Sequence, residues 1–242
     1  GPSGCALPSP YPLSDTVAFL GEERKDYAGL SISVGTTLAA EHSFVIGAPE
    51  NDEGGANSGK VYVIPASSSG GSLSSYGFSI LGNEEDGQFG YQTNVVPDMD
   101  GDGSEELLAS APRADNFSGI VYLFNGPLSD SLTVADADAS IQGSSPSDRF
   151  GWSLSSGNFA GDGTVYVAAG TYLYDDTADS QGAVMLFSSP SPGMLASEAD
   201  FIYTGPPSRA WAGYSLSSGG DLTGDGIADL AIGAPKASDE KG

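Results

Sequence analysis

A unit of about 61 residues recurs along this chain, and that recurrence limits its fold more than any other feature. Each copy opens on a glycine that follows an aromatic residue or alanine: Ala28-Gly29, Phe89-Gly90, Phe150-Gly151 and Ala212-Gly213. The four glycines lie 61, 61 and 62 residues apart. A second landmark reads Gly47-Ala48-Pro49, Ser110-Ala111-Pro112, Ala169-Gly170-Thr171 and Gly233-Ala234-Pro235. The third is an apolar run after a glycine: Lys60–Ile64, Ile120–Phe124 and Ala183–Phe187. Self-similarity at a fixed period marks a repeat architecture, in which each unit buries its apolar faces against its neighbours.

Two of the units carry an acidic loop of the form D-x-[DT]-G-D-G-x-x-[DE], at 98–106 and 221–229. Oxygen-bearing side chains at alternate positions, with glycines that permit a sharp turn, suit a hard cation. In the first loop the expected ligands are the Asp98, Asp100 and Asp102 carboxylates, the Ser104 carbonyl and Glu106. In the second they are Asp221, the Thr223 hydroxyl, Asp225, the Ile227 carbonyl and Asp229. Calcium tolerates such irregular oxygen cages better than magnesium does, so two Ca²⁺ sites are expected. An EF-hand would require a bidentate Glu at position twelve, where this chain has Ala109 and Ile232. The other two units are expected to hold no ion. Unit three offers Asn158, Asp162 and Thr164 but has Ala160 and Tyr166 at ligand positions, and unit one reads Gly-Thr-Thr-Leu-Ala-Ala-Glu.

Each complete unit reads as four strands. The first is exemplified by 90–96 and the second by 106–111. The third is the apolar run, and the fourth is a short segment such as 79–82, 140–143 or 201–205. Glycine and proline interrupt the chain too often for helices. The third strand is apolar on both faces, as expected of a sheet packed between two others. Four-stranded units of this length, repeated, specify an all-β propeller. The units run over about 28–82, 89–143 and 150–205, with an incomplete fourth at 212–242. Residues 16–20 resemble a fourth strand whose own unit is missing. The repeat region spans 14–242, and residues 1–13 form a tail with the look of a processed or engineered end.

The FG and GAP landmarks around the acidic loop resemble the FG-GAP repeat of integrin α-subunit propellers, over nearly the whole chain. That resemblance implies a β-propeller, Ca²⁺ in blade hairpins, extracellular or cell-surface exposure, and a role in recognition or adhesion. Integrin propellers have about seven blades. Three complete blades and a partial fourth therefore point to part of a larger ring, or to a module completed by another chain. The implied partner is a protein or glycan ligand meeting loops on one propeller face.

Composition narrows the alternatives. The formal charge is −24, from 32 acids and 8 bases, so nucleic acid and anionic membrane surfaces are poor partners. No apolar run is long enough for a membrane-spanning helix. Cys5 is the only cysteine and His42 the only histidine, which excludes an intrachain disulfide and a cysteine-rich zinc site. His42 reads as a surface or turn residue. Glu84-Glu85-Asp86 and Asp175-Asp176 read as solvated turns. No carboxylate pair is singled out for glycosidase chemistry, so no enzyme activity is expected. Trp152 and Trp211 flank blade openings and read as packing residues, or alternatively as a platform for sugars. Asp148-Arg149 and Arg209 lie near the same rim and read as local pairs or, alternatively, as ligand contacts. Two other functions fit the pattern: a glycan-binding accessory domain of a secreted hydrolase, or a structural subunit of a cell-surface assembly.

Overall fold

The computed structural model describes residues 17–176, 179–207 and 209–237. The tail at 1–13 and Cys5 lie outside them. The chain is an all-β array of propeller blades. The first blade contains β2 (Ser31–Gly35), β3 (Ser43–Ala48), β4 (Lys60–Pro65) and β6 (Phe78–Leu81). The second contains β7 (Thr93–Val96), β8 (Glu106–Ala111), β9 (Ile120–Phe124) and β11 (Ala139–Gln142). β12 (Ser153–Gly157), β13 (Tyr166–Thr171), β14 (Ala183–Phe187) and β16 (Phe201–Thr204) form the third. β17 (Ser215–Ser218) and β18 (Leu230–Gly233) begin a fourth. Within each blade the strands are antiparallel neighbours in sequence order.

Blades are also stitched to one another. The two-residue strand β10 (Leu132–Thr133) leaves the second blade and pairs in parallel with β6 of the first. β15 (Met194–Leu195) does the same from the third blade to β11 of the second. β5 (Gly71–Ser72) makes the equivalent reach from the first blade, and its partner is β1 (Phe19–Leu20). β1 thus occupies the place of an outer strand from a preceding blade. Of the 16–20 segment read from sequence, Thr16 lies outside the described residues and β1 covers Phe19–Leu20, and no ladder joins β1 to β17 and β18.

The apolar third strands explain the stacking. Side chains alternate between the two faces of a strand, so one strand can feed two cores. Ala183, Met185 and Phe187 pack into the core shared by blades two and three. Val184 and Leu186 from the same strand pack into the core shared with the fourth blade. Val121 and Leu123 join the former core, while Phe124 joins the core between blades one and two.

The three sequence landmarks meet at one junction. The N–H of Phe89 donates to Ser58 O (2.9 Å) and that of Phe150 to Ser118 O (2.9 Å), which docks each opening onto the preceding blade. Ser31 Oγ donates to Gly90 O (2.9 Å), and Ser153 Oγ to Gly213 O (2.7 Å), one blade further on. A Cβ on Gly47 would lie 2.0 Å from Gly90 O, and one on Gly170 would lie 2.2 Å from Gly213 O. Side chains are excluded there by direct backbone contact. This shifts the second landmark of unit three by one residue. Gly170-Thr171-Tyr172, rather than Ala169-Gly170-Thr171, stands where Gly47-Ala48-Pro49 stands.

Short helical turns do occur, contrary to the reading of none. Three-residue 3-10 turns at Leu73–Ser75, Val134–Asp136 and Ala196–Glu198 precede the outer strands. A four-residue turn at Ala114–Phe117 contains Asp115 and Asn116 with positive φ, so it does not continue as a helix.

Candidate metal centre

Both acidic loops are the hairpin turns between the first and second strands of their blades. In the first, Asp98 anchors the turn. Its Oδ1 accepts from Gly101 N (2.6 Å) and its Oδ2 from Gly103 N (2.9 Å). Gly101 and Gly103 have φ of 86° and 93°, a region costly for other residues. Asp100 Oδ1 accepts from Asp102 N (3.1 Å), and Asp102 Oδ1 from Ser104 N (2.7 Å). Glu106 sits at the start of β8, fully buried, with Oε2 accepting from Met99 N (3.0 Å).

This wiring gathers three of the expected ligands. Carboxylate oxygens of Asp98, Asp100 and Glu106 all lie within 4.8 Å of one another. Asp102 stands outside that set and serves the turn through Ser104 N. Asn125, which sequence reasoning missed, donates from Nδ2 to Asp100 Oδ2 (2.9 Å). Nothing local signals it, because it follows the third strand, far along the chain from the loop.

Two observations show that the donor set fits a cation. Glu106 Oε1 is buried without a hydrogen-bond partner, and an orphaned buried carboxylate oxygen is costly. Burial, joined by the charges of Asp100, Asp98 and Asp102 and opposed by the Met99 N–H, pushes the Glu106 carboxyl up to about 7. A divalent ion among these oxygens would remove both penalties at once.

The second loop repeats the scaffold. Asp221 Oδ1 accepts from Gly224 N (2.6 Å), and its Oδ2 from Gly226 N (2.8 Å). Asp225 Oδ1 accepts from Ile227 N (2.9 Å), as Asp102 does from Ser104. Asp229 Oδ2 accepts from Leu222 N (2.6 Å) and Thr223 N (2.9 Å). With Thr223 in place of Asp100, the acids do not converge as tightly. Among the described residues, only the first loop brings three carboxylates together.

The remaining turns are closed by other means. In unit three, Asn158 Oδ1 accepts from Gly161 N (2.9 Å) and Asp162 Oδ1 from Thr164 N (2.8 Å), so the turn keeps its form. Tyr166 takes the place of Glu106, and its hydroxyl donates to Asp162 Oδ2 (3.2 Å). In unit one, the Glu105 carboxylate reaches across from the second blade. Its Oε2 accepts from Thr37 N (2.9 Å) and from Thr36 N, and its Oε1 from Thr36 Oγ1 (2.8 Å).

At the opposite end of the strands, aromatic residues from three blades converge. Trp152 lies 4.6 Å from Tyr91 and 4.7 Å from Tyr172 between ring centroids. Trp211 stacks on Tyr214 at 5.9 Å, and Lys236 sits 3.6 Å over the Trp211 ring. Both tryptophans are half-buried in this cluster. Arg209 pairs with Asp179 (2.6 Å) on the surface. His42 is exposed just before β3.

The blades and hairpins define a class: a propeller array built of repeats that carry an acidic turn. The FG-GAP repeat family model matches residues 89–124 and 212–242. Integrin alpha-X from Mus musculus is 30% identical over 247 residues, covering 96% of this chain and 20% of that protein. Integrin alpha-PS2 from Drosophila melanogaster is 28% identical over 158 residues, covering 62% of this chain and 11% of that protein. The chain thus spans a fifth or less of the length of these relatives. Among solved structures, the exotype rhamnogalacturonan lyase YesX aligns with a TM-score of 0.51 at 15% identity, over 86% of this chain and 38% of that one. At that identity the likeness concerns fold alone. With two of its units matched by the repeat model and integrin alpha-X similar over most of its length, the chain is an FG-GAP, integrin α-like domain.

Proposed function

We propose that this domain is a non-enzymatic recognition or adhesion module of an extracellular or cell-surface protein, stiffened by two calcium ions. The observation that carries the reading is the buried, unpartnered Glu106 oxygen beside Asp98 and Asp100. The ligands are the ten residues expected from sequence. In the first loop these are Asp98, Asp100, Asp102, Ser104 through its carbonyl, and Glu106. In the second they are Asp221, Thr223, Asp225, Ile227 through its carbonyl, and Asp229. Coordination replaces repulsion between carboxylates and is linked to folding. Similarity to integrin α subunits supports the adhesion role. A protein ligand meets loops on one face, and further blades, from a longer chain or a second one, extend the array. No helix among the described residues is long and apolar enough to cross a membrane.

Calorimetric titration with Ca²⁺ tests the reading. The unaltered chain should bind two ions, while Asp100→Ala and Asp225→Ala should each bind one. EGTA should lower the melting temperature by several degrees. An unchanged melt together with no binding heat would refute the metal assignment.

A further inference from the structure

The rim opposite the metal hairpins contains two arginines that no carboxylate among the described residues pairs with. Gln88 immediately precedes the second blade's opening, and Glu50 immediately follows the first blade's Gly-Ala-Pro. These two meet, with Gln88 Nε2 donating to Glu50 Oε1 (2.9 Å). One blade further on, the same two positions hold Arg149 and Arg113. A hydrogen-bonded amide and carboxylate are thus replaced by two guanidinium groups, in a chain with four times as many acids as bases.

The surroundings sharpen the contrast. Arg149 lies with its guanidinium carbon 4.4 Å from the centre of the Phe117 ring. Its Nε and Nη1 are buried without a hydrogen-bond partner. Neither arginine lies within ion-pair distance of an acid among the described residues. Burial lowers the Arg149 pKa and the Arg113 charge lowers it further, against the Tyr172 and Tyr91 hydroxyls. Arg113 is exposed, whereas Tyr91 and Tyr172 are half-buried beside the pair. Buried guanidinium donors left unpaired are costly, and like charges held together repel. An anion accepting from exposed Arg113 and from Arg149 through Nη2, the guanidinium nitrogen that is not among the buried ones, would offset the repulsion between the two charges, and a carboxylate matches the planar donor fork of arginine.

We propose that Arg113 and Arg149 form a carboxylate-binding site between the second and third blades, and that its ligand is an acidic side chain of a partner protein. A peptide carboxylate is favoured over an acidic sugar by the equivalent position one blade earlier, where the Glu50 side chain fills the place. The site gives the recognition reading a ligand chemistry and rests on that reading only for its biological use. Its binding test is independent of the metal loops.

The test follows the arginine Nε–Hε resonances in the ¹⁵N-labelled chain, with the ionic strength high enough to screen the overall negative charge. The probes are glutamate capped at both ends, the capped glutamine analogue and a free hexuronic acid. Capped glutamate should shift the Arg149 signal saturably, with capped glutamine at least about tenfold weaker, in line with a lost charge-assisted pair. Arg113→Gln should abolish saturation of the Arg149 signal, and Arg149→Gln should abolish saturation of the Arg113 signal. Arg113 is exposed, so its variant remains informative if Arg149→Gln fails to fold. Equal shifts from both capped amino acids, or saturation surviving in Arg113→Gln, would overturn the site. Tighter binding of the hexuronic acid would overturn the peptide assignment.

Discussion

Asp148 is buried next to Arg149, its backbone carbonyl accepting from Thr171 Oγ1 (2.7 Å). Burial pushes its carboxyl from 3.8 up to about 6, and the negative charge of Asp175 adds to the rise against the Ser145 contact. Because the folded pKa lies above the unfolded one, the folded state binds the extra proton between about 3.8 and 6. The ionised form therefore costs stability above that window, and the cost disappears as the pH falls through it. Asp148→Asn should stabilise the domain at pH 7.5 by about 1–3 kcal/mol, and the gain should vanish by about pH 4. Paired thermal melts across this range check it. A variant less stable than the parent at pH 7.5 would show that the ionised carboxylate is stabilising.

Among the elements, the hairpins differ most in what closes them. Glu105 belongs to the first metal loop by sequence, yet its carboxylate caps the turn of the neighbouring blade. Burial opposes its ionisation, but donation from Thr37 and Thr36 outweighs this and lowers its pKa. Glu105→Ala should destabilise the domain by roughly 1 kcal/mol, a modest figure because the contact is partly exposed. It should leave the number of bound calcium ions unchanged. Melting combined with calcium titration separates the two effects, and loss of an ion would show that Glu105 serves the metal instead. The sequence disclosed the second and third strands well, since 107–111, Ile120–Phe124 and Ala183–Phe187 are runs uninterrupted by a charge, glycine or proline. First strands were blurred by polar residues such as Ser153 and Ser156, because these make inter-blade hydrogen bonds to Gly213 O and Asn94 Oδ1 rather than packing in a core. β5, β10 and β15 were illegible, since two residues carry no periodicity. The acidic turns were legible because Asp–Gly spacing is local. Glu105, Asn125 and the Arg113–Arg149 pair were not, because each acts on a residue from another blade or a distant strand.

For the molecule as a whole, the junction rule that joins one blade to the next also exposes the faces at either end of the described array. Leu154 and Leu216 lie at equivalent places on their inner strands and pack against the preceding blade. Ile32 holds the same place on β2 and is 64% exposed, with Val34 beside it at 62%. At the far end, β16 carries Phe201, Ile202 and Tyr203, all exposed. The equivalent strands β6 and β11 each have a parallel partner from the next blade, which β16 lacks among the described residues. An open edge next to apolar side chains favours pairing with another chain. This 242-residue chain should therefore self-associate with rising concentration in sedimentation velocity. Ile32→Lys combined with Val34→Lys should weaken association through the first face, and Ile202→Lys should weaken it through the second. The −24 charge resists association, so added salt should strengthen it by screening that repulsion while leaving apolar burial intact. A monomer at every concentration and salt level would mean that repulsion outweighs both faces. Association unaffected by all three lysines would place the contact elsewhere.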